Sequence, residues 1–170
     1  MTPPRFHQLP PRGATLIEAV IAIGVLAVAI PLVFGALAEG GKSGLSAQAE
    51  TRSTWIIPAC MDEIRASREG RPRFFTPTTA GQTFPPGGDV WALAFAPDGQ
   101  PIGKLSKALY EQGTKELNGK PVRYIAAMNS TAATAKPGTT PMLKVHITLE
   151  YPAAAKSAKR NKLDFHTRIP

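Results

Sequence analysis

Glu18 has the most demanding chemical setting in this chain. It stands at the edge of Ala19–Ala38, a run of 20 residues without a charge. A carboxylate drawn into lipid costs ~2.5 kcal/mol or more near the bilayer centre. Two outcomes are open: Glu18 stays wet at headgroup level, or it pairs with a cation supplied by another chain. Other reactive residue types form no constellation. Cys60 is the single cysteine, so it has no intramolecular disulfide partner and no cluster to join. His7, His146 and His166 are far apart in sequence, and two histidines brought together by strand pairing still make a poor metal site. Solvent-facing histidines are expected. Asp62 and Glu63 are adjacent and project from different sides of a helix, which argues against a carboxylate pair. No nucleophile elbow, phosphate-binding loop or metal-ligand spacing occurs, so no catalytic, cofactor or metal site is expected and the chain does not read as an enzyme.

Charge narrows the partners. The formal net charge is +8, of which Arg5 and Arg12 lie in the first residues. A second cluster comprises Lys156, Lys159, Arg160 and Lys162. No aromatic residues interleave with these cations as a stacking surface would need, so a solvated loop is expected rather than a nucleic-acid contact.

The element that positions Glu18 is a helix. Twenty apolar residues span roughly 30 Å as an α-helix, the thickness of a bilayer core. The preceding MTPPRFHQLPPRG carries two arginines and no acid. Positive flanks stay in the cytoplasm, which places the rest of the chain outside. Pro31 falls within the run and predicts a kink, because proline removes a hydrogen bond and crowds the preceding turn.

Gly13-Ala14-Thr15-Leu16-Ile17-Glu18, after a short basic leader and before a long apolar helix, resembles the class III signal of type IV prepilins and type II secretion pseudopilins. The resemblance is specific over residues 1 to roughly 40 and architectural beyond them. It implies cleavage by a prepilin peptidase between Gly13 and Ala14, followed by N-methylation. Ala14 replaces the phenylalanine usual in the family. The resemblance also implies that Glu18 pairs with the new N-terminal amine of a neighbouring subunit during assembly, an opposite charge that favours both ionised forms. The implied partners are the peptidase, other pilin or pseudopilin subunits and inner-membrane lipid; nucleic acid is not expected. The implied location is the bacterial inner membrane, single-pass, with the folded domain in the periplasm before filament assembly. The role implied is that of a structural subunit, with a minor one favoured. A DNA-uptake pseudopilin is a variant of the same reading.

A conventional secretory signal is the main competitor. Ala36-Leu37-Ala38 before Glu39 fits a small-residue cleavage site and would release a soluble β-rich domain. The apolar run is longer than such signals use, and Glu18 would enter it without purpose.

The chain divides into a leader at 1–13, a transmembrane and assembly helix at 14–38, an outer helical part and linker at 39–68, and a small antiparallel sheet domain at 69–170. Pro58 predicts a break, after which Ala59–Ser67 forms a second helical piece. Trp55, Ile56, Met61 and Ile64 are expected to cover a sheet, with Trp55 as a core anchor. Residues 67–88 read as an irregular connection with at most a short strand over Arg73–Thr76. Val90–Phe95, a hairpin at Asp98-Gly99, a turn at Asn118-Gly119 and Val122–Met128 carry strand signals. Leu143–Tyr151 and Leu163–Ile169 alternate with a period of two, predicting one buried and one wet face and a terminal hairpin across the basic loop. The fold class expected is α+β: a long N-terminal membrane-spanning helix packed on an antiparallel sheet of about four strands, pilin-like in architecture.

Overall fold

A computed structural model describes residues 15–79, 82–132 and 142–169. The fold is α+β, with one long N-terminal helix and an antiparallel sheet. The chain forms two compact units, 1–45 and 46–170. Helix α1 spans Leu16–Arg68 as a single element of 53 residues. Both Pro31 and Pro58 lie inside it, so the break expected at Pro58 does not occur. The Pro58 ring is exposed, away from the packed stripe. In the turns before it, the Thr51, Ser53 and Thr54 hydroxyls donate to Ala47, Glu50 and Thr51 carbonyls at 2.9, 2.6 and 2.7 Å.

Within the second unit, α1 buries one stripe: Ala49, Ser53, Ile56, Cys60, Ile64 and Ser67. Steps of three and four residues keep such positions on one helix face. Trp55 is not on that stripe and is 69% exposed, which corrects its expected place in the core. It sits one residue, and hence about 100°, from Ile56. Burial pushes the Cys60 thiol pKa well up, with the Glu63 charge adding to the effect.

The main sheet has five strands rather than four, in the order β2 (Pro101–Lys104), β1 (Trp91–Phe95), β5 (Tyr124–Ala132), β6 (Leu143–Tyr151) and β7 (Asn161–Ile169). All neighbours are antiparallel. A short helix α2 (Lys107–Gln112) and a two-stranded ribbon, β3 (Glu116–Leu117) with β4 (Lys120–Pro121), lie between β2 and β5. Sequence reasoning had no signal for α2, which is only six residues long and capped by Ser106. The β3–β4 turn is Asn118-Gly119, both at positive φ (52° and 72°), the geometry that favours Asn-Gly in tight hairpins. The β1–β2 hairpin at Asp98-Gly99 and the terminal β6–β7 hairpin form as read from the sequence.

Register sorts the side chains into two faces. Trp91, Met128 and Ile147 lie in one cross-strand row, with Leu93, Ala126 and Leu149 in the next. This face meets the α1 stripe, as Tyr151 Oη donating to Ser46 Oγ at 3.3 Å shows. Ala92, Ala94 and Ile125 point the other way and join Leu105, Val122 and Ala153 in a second apolar cluster. The outer face is therefore covered over β1 and part of β5.

The connection after α1 has no strand at Arg73–Thr76. Its backbone N–H groups instead point at Glu63, a buried residue. Glu63 accepts from Arg73, Phe74 and Phe75 at 3.2, 2.7 and 3.1 Å. That turn delivers Phe75 onto Trp91 (ring centroids 4.5 Å), while Phe84 stacks on Trp91 at 4.9 Å. Ser130 holds the Phe84 backbone, accepting from its N–H at 2.8 Å.

Candidate membrane and assembly segment, and the charged sheet face

The first unit is governed by its solvent exposure. Leu16, Ile17, Val20, Ile21, Ile23, Val25, Leu26, Val28, Ile30, Leu32, Val33, Phe34 and Leu37 are all between 49% and 84% exposed. These positions fall on every side of the helix, unlike the single stripe of the second unit. A helix apolar all round requires an apolar surrounding. Each such side chain gains about 1.5–3 kcal/mol on leaving water, so thirteen of them represent a driving force above the ~5–15 kcal/mol stability of a whole domain. Among the described residues this is one helix long and apolar enough to cross a membrane. A signal sequence meets the same length and composition test.

Thr15 precedes the helix and caps it. Glu18 N–H donates to Thr15 O at 3.0 Å and lies 3.4 Å from Thr15 Oγ1, while Ala19 N–H donates to Thr15 O at 3.1 Å. Thr-x-x-Glu is the capping-box spacing, and a carboxylate in the first turn also complements the helix dipole. Glu18 thus stands as an acid in the first turn of α1, beside any role towards another chain. Pro31 lies within the continuous helix. Gly13 and Ala14, the expected processing site, lie outside the described residues.

The outer face of β6 and β7 in the second unit carries a row of ionisable groups. Along β6, the positions expected to be wet pass from exposed Lys144 through half-buried His146 to buried Thr148 and Glu150. The uniform wet face read from the alternation is therefore corrected: α2 and the β6–β7 loop cover its far end. Glu150 Oε2 accepts from Arg160 Nη1 at 2.7 Å, and Oε1 lies 3.2 Å from Lys162 Nζ and accepts from Tyr110 Oη at 2.9 Å. Arg160 Nε also donates to Ala155 O at 2.8 Å, and Nη2 donates to Tyr110 O. The basic loop is not wholly solvated, because Arg160 is buried inside it. Desolvation pushes the Tyr110 hydroxyl up to about 12, with the Glu150 charge and hydrogen bond acting in the same direction.

Gly113 closes α2 at φ +89°, where a Cβ would meet Ala154 O at 2.8 Å and Ala155 O closer still. The α2 end and the basic loop therefore interlock through backbone contact as well as through Arg160.

His146 and His166 face each other in register and stack at 4.4 Å between ring centroids. His146 Nε2 lies 2.7 Å from Asp164 Oδ1, which also accepts from Thr148 Oγ1 at 2.9 Å. The Thr148 hydroxyl, followed by His146, holds the Asp164 carboxyl below the usual range. Among the described residues no group of three or more metal-ligating side chains converges. Asp62 and Glu63 diverge as expected: Asp62 is exposed beside Arg65 at 3.3 Å, and Glu63 is buried.

Compared with known proteins, the chain matches no family model, and neither a curated protein nor a solved structure is similar to it.

Proposed function

We propose that this chain is a membrane-anchored structural subunit, of the minor kind, in a type IV pilus-like or type II secretion-like filament. In this reading a prepilin peptidase removes residues 1–13, the apolar part of α1 first holds the subunit in the inner membrane and later packs among other subunits, and the sheet domain lies outside. The observation that carries the reading is the change of pattern along one helix. Ala19–Leu37 is apolar on all sides and exposed, whereas Ala49–Ser67 buries a single stripe against an antiparallel sheet. Lipid and neighbouring helices are the two surroundings that satisfy the first pattern.

The competing secretory reading places a cut between Ala38 and Glu39. Both residues lie within α1, which runs on without a break to Arg68. A cut there falls inside a helix rather than in an extended site. That favours processing ahead of the helix.

Mass spectrometry of the mature N-terminus, after co-expression with a prepilin peptidase, tests the proposal. A chain beginning at Ala14 is expected. A chain beginning at Glu39, or one that keeps its first thirteen residues in the presence of active peptidase, overturns it.

A further inference from the structure

Strand β7 ends the sheet on one side, and no described strand pairs with its other side. It is nine residues long. Every second residue of such a strand turns its N–H and C=O away from the sheet, a template for another strand. Two depressions reach β7, one on each side of the sheet, and Thr167 and Arg168 line both. On the outer face, a groove of about 510 Å³ runs across β5, β6 and β7 and is lined by Asn129, Thr131, Lys144, His146, His166 and Arg168. On the helix-facing side, a depression of about 340 Å³ is lined by Arg65, Arg68 and Ile169.

Cations therefore stand on both faces of a free edge. Lys144 and Arg168 are cross-strand neighbours on the outer face. On the other side, Arg68 Nε and Nη2 are buried and have no hydrogen-bond partner among the described residues. These two atoms form the side-on fork of a guanidinium, whose geometry matches a carboxylate. Unmade hydrogen bonds at buried donors cost about 1–3 kcal/mol, which a carboxylate recovers once the half-buried Arg68 side chain swings outward to meet it. The nearby acids are already engaged: Asp164 with His146, Asp62 with Arg65, and Glu69 with Arg71.

We propose that the free edge of β7 docks an extended, acidic polypeptide segment as an added strand. Side chains of a strand alternate between the two faces of a sheet. Carboxylates at successive positions of the segment then reach Arg168, with Lys144 one strand behind it, on one face and Arg68 on the other. Half-exposed Leu163 and Phe165 on the helix-facing side favour apolar residues beside those carboxylates. Main-chain bonds supply affinity and the flanking cations supply selection. This docking edge lies entirely within the second unit and does not depend on the filament reading.

The test uses the full chain in non-ionic detergent and a labelled nonapeptide, Val-Val-Glu-Glu-Val-Glu-Glu-Val-Val, whose adjacent glutamates present carboxylates on both faces of an added strand. Two twins of the peptide carry N-methyl groups at either set of alternate residues. The parent peptide is expected to bind and to protect β7 amides from hydrogen exchange. The twin methylated on the edge facing β7 is expected to bind at least tenfold more weakly, although its charge is unchanged. Arg168→Glu, at an exposed position, is expected to weaken the parent at least tenfold while the circular dichroism stays the same. Equal binding by the parent and both twins, no peptide binding, or binding of anionic-lipid vesicles in its place overturns the proposal.

Discussion

Glu150 Oε2 and Arg160 Nη1 lie 2.7 Å apart, with their side chains 1% and 0% exposed. This pair joins the end of β6 to the loop that leads into β7, and through Tyr110 it reaches α2. Removing one member of a buried pair leaves an uncompensated charge, at a cost of about 3–5 kcal/mol. Arg160→Ala is expected to lose that much stability in chemical denaturation of the full chain in detergent. Lys162→Ala removes a half-exposed partner of the same carboxylate and is expected to cost under ~1 kcal/mol. Equal losses for the two variants refute the assignment of Arg160 as the dominant partner.

Tyr110 makes the same network sensitive to alkali. Its hydroxyl is pushed up to about 12, above the ~10 of an unfolded chain. The folded state therefore favours the neutral phenol. That stabilisation is complete below pH ~10 and is lost as pH rises through the folded value. After discounting for partial solvent access, the contribution is about 1–2 kcal/mol. Wild type is expected to lose stability between pH 10 and 12, and Tyr110→Phe to lose less over that window. Identical pH profiles for the two chains exclude the effect.

Glu63 organises a loop that has no secondary structure of its own. Three backbone N–H groups converge on its carboxylate. Glu63→Gln replaces one acceptor oxygen by a donor facing those N–H groups, at a cost of about 1–3 kcal/mol. Because the loop carries Phe75, which stacks on Trp91, the near-ultraviolet circular dichroism of Trp91 is expected to change as well. A stability loss with an unchanged tryptophan signal indicates that Glu63 acts elsewhere.

The sequence made the long helix, the hairpins at Asp98-Gly99 and Asn118-Gly119, and the β6–β7 pairing legible, because each rests on a local pattern. Apolar length, turn chemistry and a period of two need no knowledge of distant residues. Trp55 was misplaced because short apolar runs on a helix leave the orientation of the stripe undecided, and only the sheet decides it. Residues 67–88 read as an irregular connection with at most a short strand at Arg73–Thr76, and the N–H groups of Arg73, Phe74 and Phe75 meet a carboxylate from α1 instead of a neighbouring strand. Glu150 and Arg160 were read as wet, since β6 alternation does not reveal that α2 covers one end of the outer face. Of the candidate assembly residues, Glu18 has a visible place at the start of α1 and Pro31 lies within it. The pairing proposed for Glu18 involves another chain, so it lies beyond any single-chain fold.

Glu18→Ala separates the two roles open to that carboxylate. As a first-turn acid it contributes about 0.3–1 kcal/mol to the helix. Thr15 O still accepts the first backbone bonds without it. Helicity in detergent is therefore expected to change little, and the peptidase is expected still to cut after Gly13. Pairing with a neighbour's amine is a different matter, because an ammonium left alone in an apolar surrounding costs several kcal/mol. Incorporation into filaments, measured by shearing and immunoblotting, is expected to fall at least tenfold, with Glu18→Gln behaving like Glu18→Ala. Wild-type incorporation by both variants removes the charge pairing and leaves Glu18 as a first-turn acid alone.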